Sequence, residues 1–304
     1  MECGAFLYLN NEWETWYNQQ NYAMGDAGMI ILPESEYQKV KEPLRKVPIN
    51  TLFVQMVAEG QVDGAIYVDD ARDPRVFYMV HKYGMSLLFG DTENEAFNCQ
   101  FTAYLTNAAK IRARHEWMQV YPEAWTGRLP EMLGDSLVKK DEKVGQDDPG
   151  KVVEFTRVNF AFDAKKFREA VGRRMRPEYE IVRTTPAMYE AIEGRVIPRD
   201  FWKDGEQFIQ AGGGYTLICD GEAASTAFTS YRFGDRLEMG IETMEKHRGK
   251  GFAFWVCAAL IEYCIENNLT PDWSCRLENT GSYILAQRLG FVPTRYLPYY
   301  RLAV

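Results

Sequence analysis

From Tyr179 onward the apolar and polar positions keep a regular order. Tyr179–Arg183 reads as a strand, and Pro186–Glu193 and Asp200–Gln210 as short helices, the second opening on an Asp N-cap. Gly214–Cys219 and Ala223–Phe233 read as strands joined by Asp220-Gly221, a dipeptide that favours the tight hairpin turn. Arg236–Thr243 is a third strand, reached through Gly234-Asp235. After a glycine-containing loop comes Phe252–Glu266, apolar on nearly every face, so it is expected to lie buried against a sheet. A strand at Trp273–Leu277, a helix over Thr280–Leu289 and a last strand near Pro298–Leu302 complete the run.

The first half repeats this order of elements without repeating its residues. Strands are expected at Asp63–Val68, Arg75–Val80 and Met85–Phe89, then a helix over Glu95–Lys110, a strand at Glu116–Val120, a helix over Glu123–Leu133 and a strand at Val152–Phe162 that finishes the first sheet. Two readings stand: a structural repeat, or two unrelated α/β domains. The polar segment Val138–Gly150 ends in Pro-Gly and suits a linker, with a soft boundary between there and Pro177.

Composition narrows the classes. The chain has 304 residues, enough for two domains, and 46% hydrophobic and 14% aromatic residues, enough to fill their cores. A net charge of -8 argues against nucleic acid as the partner, because phosphate binding needs a basic surface. No apolar run of about 18 residues is present to span a bilayer. Met1–Trp16 holds three glutamates and no basic residue, unlike a signal or transit peptide, so the cytoplasm is the expected compartment. The six cysteines are scattered and read as small core hydrophobes, and His81, His115 and His247 are too far apart in sequence to suggest a zinc site.

Chemistry concentrates between Met239 and Ala253. A strand ends at Thr243, Arg248-Gly249-Lys250-Gly251 forms a tight loop, and a helix starts near Phe252. Glycines let such a backbone approach a ligand, and successive N–H groups at the positive end of a helix form a nest for a pyrophosphate. Arg248 and Lys250 add charge at its rim. A second segment, Glu278 to Phe291, places Asn279 where it caps a helix or meets a ligand, and Gly290 where that helix ends.

Together these segments resemble the GNAT superfamily of acyl-CoA-dependent N-acyltransferases. The family's glycine loop, [Gln/Arg]-x-x-Gly-x-[Gly/Ala], aligns with Lys246 to Gly251, Lys246 departing from the usual first residue; its Asn-then-helix-then-Gly-Phe pattern aligns with Asn279 and Gly290-Phe291. The resemblance covers roughly residues 178–304. More loosely, Gly64 to Asp70, Asp73-Pro74 and Gly90-Asp91 look like the amino-terminal half of a two-domain bacterial group related to zwittermicin resistance.

The resemblance implies an α/β (α+β) fold: a mixed, mostly antiparallel sheet flanked by helices, with an N-terminal α/β domain over residues 1–165 lacking a cofactor loop and the acyltransferase domain over 166–304. It implies acetyl-CoA as acyl donor, no metal, and an amine of a small molecule or peptide as acceptor. Ile241 and Thr243 would meet the pantetheine and thioester, with His247, Arg248, Gly249, Lys250, Gly251, Phe252 and Ala253 around the pyrophosphate, and Asn279 and Ser282 completing the site. A backbone N–H near Ile241 would stabilise the oxyanion. Glu242 ranks first as general base because it lies on the motif strand, with Glu238 and Glu278 as alternatives. The tyrosine that many family members carry seven residues after the Asn is Ala286 here, which leaves Ser282 as the candidate near the CoA sulfur. That substitution keeps open a second class of function, CoA held as a structural or sensory ligand. Acceptor loops are expected at Arg195–Gly214 and in the aromatic tail Tyr296–Tyr300, which equally suits a core or a homodimer interface.

Overall fold

A computed structural model describes residues 28–139, 148–174 and 178–304; Met1–Trp16, most of the expected linker, and Pro177 lie outside them. Strands are β1 (Ile30–Ile31), β2 (Gly64–Val68), β3 (Val76–His81), β4 (Met85–Gly90), β5 (Glu116–Tyr121), β6 (Leu137–Lys139), β7 (Val152–Phe162), β8 (Glu180–Arg183), β9 (Gly214–Cys219), β10 (Glu222–Phe233), β11 (Arg236–Thr243), β12 (Thr270–Asp272), β13 (Ser274–Arg276) and β14 (Phe291–Leu302). Helices are α1 (Gln38–Arg45), α2 (Leu52–Ala58), α3 (Glu95–Leu105), α4 (Ala124–Leu133), α5 (Ala164–Gly172), α6 (Pro186–Ala191), α7 (Gly205–Ala211), α8 (Phe252–Glu266) and α9 (Thr280–Arg288).

The two halves repeat one plan: an edge strand, two short helices, three antiparallel strands, a helix, a parallel strand, a helix and a long last strand. The last strands are exchanged. β14 lies between β5 and β7, while β7 pairs on its other edge with β13. The expectation that β7 finishes the first sheet therefore needs correction, because β14 comes between, pairing with β7 at eleven positions and with β5 at three. The sheet begun in the first half takes up strands from the second, and α2, buried on nearly every face, packs between β3 and β10.

Other differences have local causes. The last strand runs twelve residues rather than five because β14 pairs with β7 from Phe291 to Leu302, and Pro293 sits at a register shift that relieves its missing donor. The strand expected at Trp273–Leu277 breaks at Trp273: β12 pairs with β11 and β13 with β7. The first-half helix stops at Leu105 because Asn107 and Lys110 adopt left-handed backbone, with φ of 52° and 53°. Asp204, not Asp200, caps α7, accepting from Gln207 N at 2.8 Å, whereas Asp200 accepts from Ile197 N. The Asp220-Gly221 turn forms as expected, with φ of 55° and 79°. Helices α1, α2 and α5 have no counterpart among the sequence expectations. Cys219, Cys257, Cys264 and Cys275 are free and buried, as small hydrophobes should be; Cys99 is free but exposed, and Cys3 lies outside the described residues. Among the described residues no helix is long and apolar enough to cross a membrane.

Candidate functional site

β11 is paired with β12 only from Arg236 to Glu238. Beyond Glu238 the second parallel strand leaves it, and a cleft opens between them. Met244 N donates to Ala224 O of β10, so by strand alternation the peptide groups of Ile241 and Thr243 face the opened edge. Thr243 is partly engaged already: its N–H donates to Glu242 Oε1 at 3.2 Å and its carbonyl accepts from Arg248 Nε at 3.1 Å.

The loop after β11 has a backbone and surrounding charge suited to an anion. Gly249 and Gly251 have φ of 80° and 79°, and a Cβ at either would meet nothing within 4 Å, so both face open space. Gly251 is the N-cap of α8 and no side chain caps that helix, whereas Asn279 caps α9 by accepting from Ser282 N at 3.3 Å. The cleft has a volume of about 550 Å³, and it is lined by Arg174, His247, Arg248 and Arg288 but by no carboxylate. Uncapped helix N–H groups, left-handed glycines and four basic side chains match a polyanion.

The sequence candidates Ile241, Thr243, His247, Arg248, Gly249, Gly251, Phe252, Ala253, Asn279 and Ser282 all line this one cleft. The Lys250 side chain turns away, its ammonium 3.3 Å from His247 Nδ1. Arg174 and Arg288 escaped the sequence reading. Arg174 lies just before the matched motifs, with its guanidinium 4.4 Å over the Phe254 ring, and Arg288 is two residues before the family's Gly-Phe ending.

A second cavity, about 260 Å³, adjoins the cleft and shares Ile241, Asn279 and Ser282 with it. Its other walls come from both halves: Tyr83 and Trp117 from the first sheet, Val196 and Phe201 from the loop expected to shape the acceptor pocket, and Tyr299 from the tail. The rest of that tail goes elsewhere: Tyr300 is core, and exposed Tyr296 shares a 3.0 Å hydrogen bond with Tyr283.

Glu238 and Glu242 share a face of β11 but not an environment. Glu238 lines the second cavity and is 4% exposed. It accepts from Ser274 Oγ at 2.6 Å and Asn50 Nδ2 at 2.9 Å, with Arg157 3.5 Å away. Glu242 holds the Arg195–Val196 loop instead: Oε2 accepts from Arg195 N at 3.0 Å and Val196 N at 3.2 Å, and Oε1 pairs with Arg248 at 3.3 Å. Glu278 Oε1 accepts from Thr156 N at 3.2 Å. Ser282 Oγ accepts from Trp273 Nε1 at 3.2 Å at the junction of the two spaces, and Ala286 is fully buried one turn further along α9. Burial, raised further by Glu238, pushes the neighbouring Asp272 carboxyl up to about 6. Among the described residues no cluster of side chains suits a metal ion.

In the first half the corresponding strands β4 and β5 stay paired from Met85 to Phe89, so no such cleft opens. The turn after β4 carries Asp91, Glu93 and Glu95, and Asn94 caps α3 by accepting from Phe97 N at 3.1 Å.

Comparison with known proteins bears on the family and the fold. Residues 42–300 match the family model described as GNAT acetyltransferase. A curated relative, the uncharacterized N-acetyltransferase YdfB of Bacillus subtilis, is 26% identical over 254 residues, covering 82% of this chain and 89% of its own. Among solved structures, a GCN5-related N-acetyltransferase-like protein from Streptococcus suis aligns with a TM-score of 0.61 at 20% identity, covering 88% of this chain and 98% of that one. A tandem GNAT protein from the clavulanic acid biosynthesis pathway aligns at 0.58 and 11% identity, covering 90% and 97%. At these identities the structural likenesses bear on the fold alone.

Proposed function

The chain belongs to the GNAT acetyltransferase family, and from that premise we propose that it moves an acetyl group from acetyl-CoA to an amine of a small molecule or peptide. The observation that carries this is the junction of the two spaces. An anion cradle and a second cavity meet at Ile241, Asn279 and Ser282, so a thioester held by the first is presented to an amine held in the second.

In this reading the pyrophosphate lies on the Gly249–Ala253 backbone, with Arg174, Arg248 and Arg288 around it. The Ile241 N–H faces the oxyanion, and Ser282 Oγ lies beside the departing sulfur. The proton acceptor is Glu238 rather than Glu242. Glu238 lines the acceptor cavity and receives the Ser274 hydroxyl, which can pass a proton from the attacking nitrogen. Glu242 is held by four N–H groups and keeps the Arg195–Val196 loop in place. The first half, with β4 and β5 paired, binds no CoA and supplies walls to the acceptor cavity.

Acetyl-CoA consumption across a broad amine panel, set beside calorimetric CoA binding, tests the proposal. Amine-dependent release of free CoA is the expected result. Buried Ala286, in place of a tyrosine acid, favours a second reading, in which CoA binds without transfer. Tight CoA binding with no turnover of any amine would select it.

A further inference from the structure

The acceptor cavity carries two guanidinium groups: Arg157, which donates to Ser274 Oγ at 2.5 Å and pairs with Glu238, and Arg276, which the transfer step does not use. Arg276 of β13 and Arg157 of β7 are directly opposed across an antiparallel pair, so both side chains leave the same face of the sheet. Like charges opposed in this way repel, and removal from water strengthens the repulsion. Aromatic faces steady them: Arg276 lies 4.5 Å from the Trp117 ring centroid, and Arg157 lies 5.2 Å from that of Tyr299. Glu238 answers one of the two charges, at 3.5 Å from Arg157. Arg157 Nε is buried without a hydrogen-bond partner, and among the described residues no ion pair reaches Arg276. Both arginines line the same cavity as Glu238 and Ser274. One positive charge is thus left over inside an aromatic-walled space.

We infer that this cavity takes an amine carrying a carboxylate, of the amino-acid type, with the carboxylate on Arg157 and Arg276 and the nitrogen toward Ser274 and Glu238. The inference rests on the acetyl-transfer reading above and names its acceptor class. A planar guanidinium pair suits a carboxylate, and the excess positive charge opposes a simple cationic amine. In the transfer, the nitrogen lone pair bonds to the thioester carbon and the carbon–sulfur bond breaks. The sulfur leaves with the bonding electrons as thiolate, and the proton lost by nitrogen passes through Ser274 to Glu238 and then to the sulfur or to solvent. The acceptor is favoured over a carboxylate on the acyl chain as the source of the anion. The arginines lie among Tyr83, Trp117 and Tyr299 of the acceptor walls, and neither lines the cofactor cleft.

Calorimetry on the full chain saturated with CoA reads this directly, using a panel of α- and ω-amino acids against their amides. At least one acid should bind ten-fold or more tighter than its amide, the scale of a charged hydrogen-bonded contact. Arg276→Gln should erase that difference while CoA affinity stays put, and Arg276→Lys should keep part of it. Acids and amides binding alike, or no acid binding at all, overturns the inference. So does an Arg276-dependent preference for succinyl-CoA over acetyl-CoA with a neutral amine, since that would put the carboxylate on the acyl group. Because the first readout is binding, it decides the arginine subsite even where acetyl transfer fails with every amine, a result that would sink the transferase reading alone.

Discussion

Replacing Gly249 by Asp should weaken CoA binding ten- to hundred-fold without unfolding the protein. A Cβ at Gly249 meets nothing within 4 Å, so the side chain enters open space, the space proposed for the pyrophosphate. The backbone there has φ of 80°, where a non-glycine residue costs roughly 1–2 kcal/mol, with Asp and Asn among those that tolerate it. That cost falls on the free and the bound protein alike, so it lowers stability and not affinity. Affinity is lowered by charge. At about 5 Å a pair of unit charges is worth ~3 kcal/mol at an effective dielectric of ~20, and under ~1 kcal/mol in bulk water. A cleft open on one side lies between these limits, and ~1.4 kcal/mol is already ten-fold. Gly249→Asn has the same shape and backbone preference without the charge, so it isolates the electrostatic part, which should shrink as salt is raised. Titration calorimetry with CoA at two salt concentrations measures all of this. A folded Gly249→Asp protein that binds CoA as tightly as Gly249→Asn and the parent would refute the cradle.

Calorimetry should also find one CoA per chain, because among the described residues only the second half opens between its parallel strands; two would contradict the proposed role of the first half. Glu238→Gln should lower kcat by roughly 10²-fold or more at unchanged CoA affinity, as loss of a general base does. Glu242→Gln should act mainly on acceptor KM by loosening the Arg195–Val196 loop, and a Glu242→Gln enzyme with the larger kcat loss would return the base to Glu242. Burial holds the His81 ring at a pKa of about 3, below its usual 6.5, so the neutral form is the one folded in. The stability it confers is full above about pH 6.5 and is lost as pH falls toward 3, at ~1.4 kcal/mol per pH unit. Urea unfolding at pH 7 and pH 4.5 should therefore differ by ~2–3 kcal/mol more in the parent than in His81→Asn, and an equal difference would exclude His81 as the cause.

The segment from Arg236 to Glu266 was legible in the amino-acid order because its determinants are local. Alternation within eight residues marks β11, glycines mark the left-handed positions of the loop, and the apolar run Phe252–Ile261 marks a buried helix. The cleft candidates come from that segment and from Asn279–Ser282, and the fold brings them together with Lys250 and Glu242 as the departures. Both depart because a residue's place in a motif does not say which neighbour its side chain will find. Glu242 finds the Arg195–Val196 backbone, and Lys250 finds His247.

What only the tertiary structure decided is pairing between distant parts of the chain. Alternation in β7 and β14 says that each is a strand, and nothing in it says which strand lies beside it, because one hydrophobic face satisfies many partners. Docking of the two halves chose the exchanged arrangement, and that choice set Arg157 opposite Arg276, brought Asn50 to Glu238, and put Tyr299 and Trp117 into a cavity of the second half. The glycine loop is a property of some fifteen consecutive residues, while the second cavity is assembled from strands more than a hundred residues apart. Local propensity therefore specifies the first, and only burial of the whole sheet specifies the second.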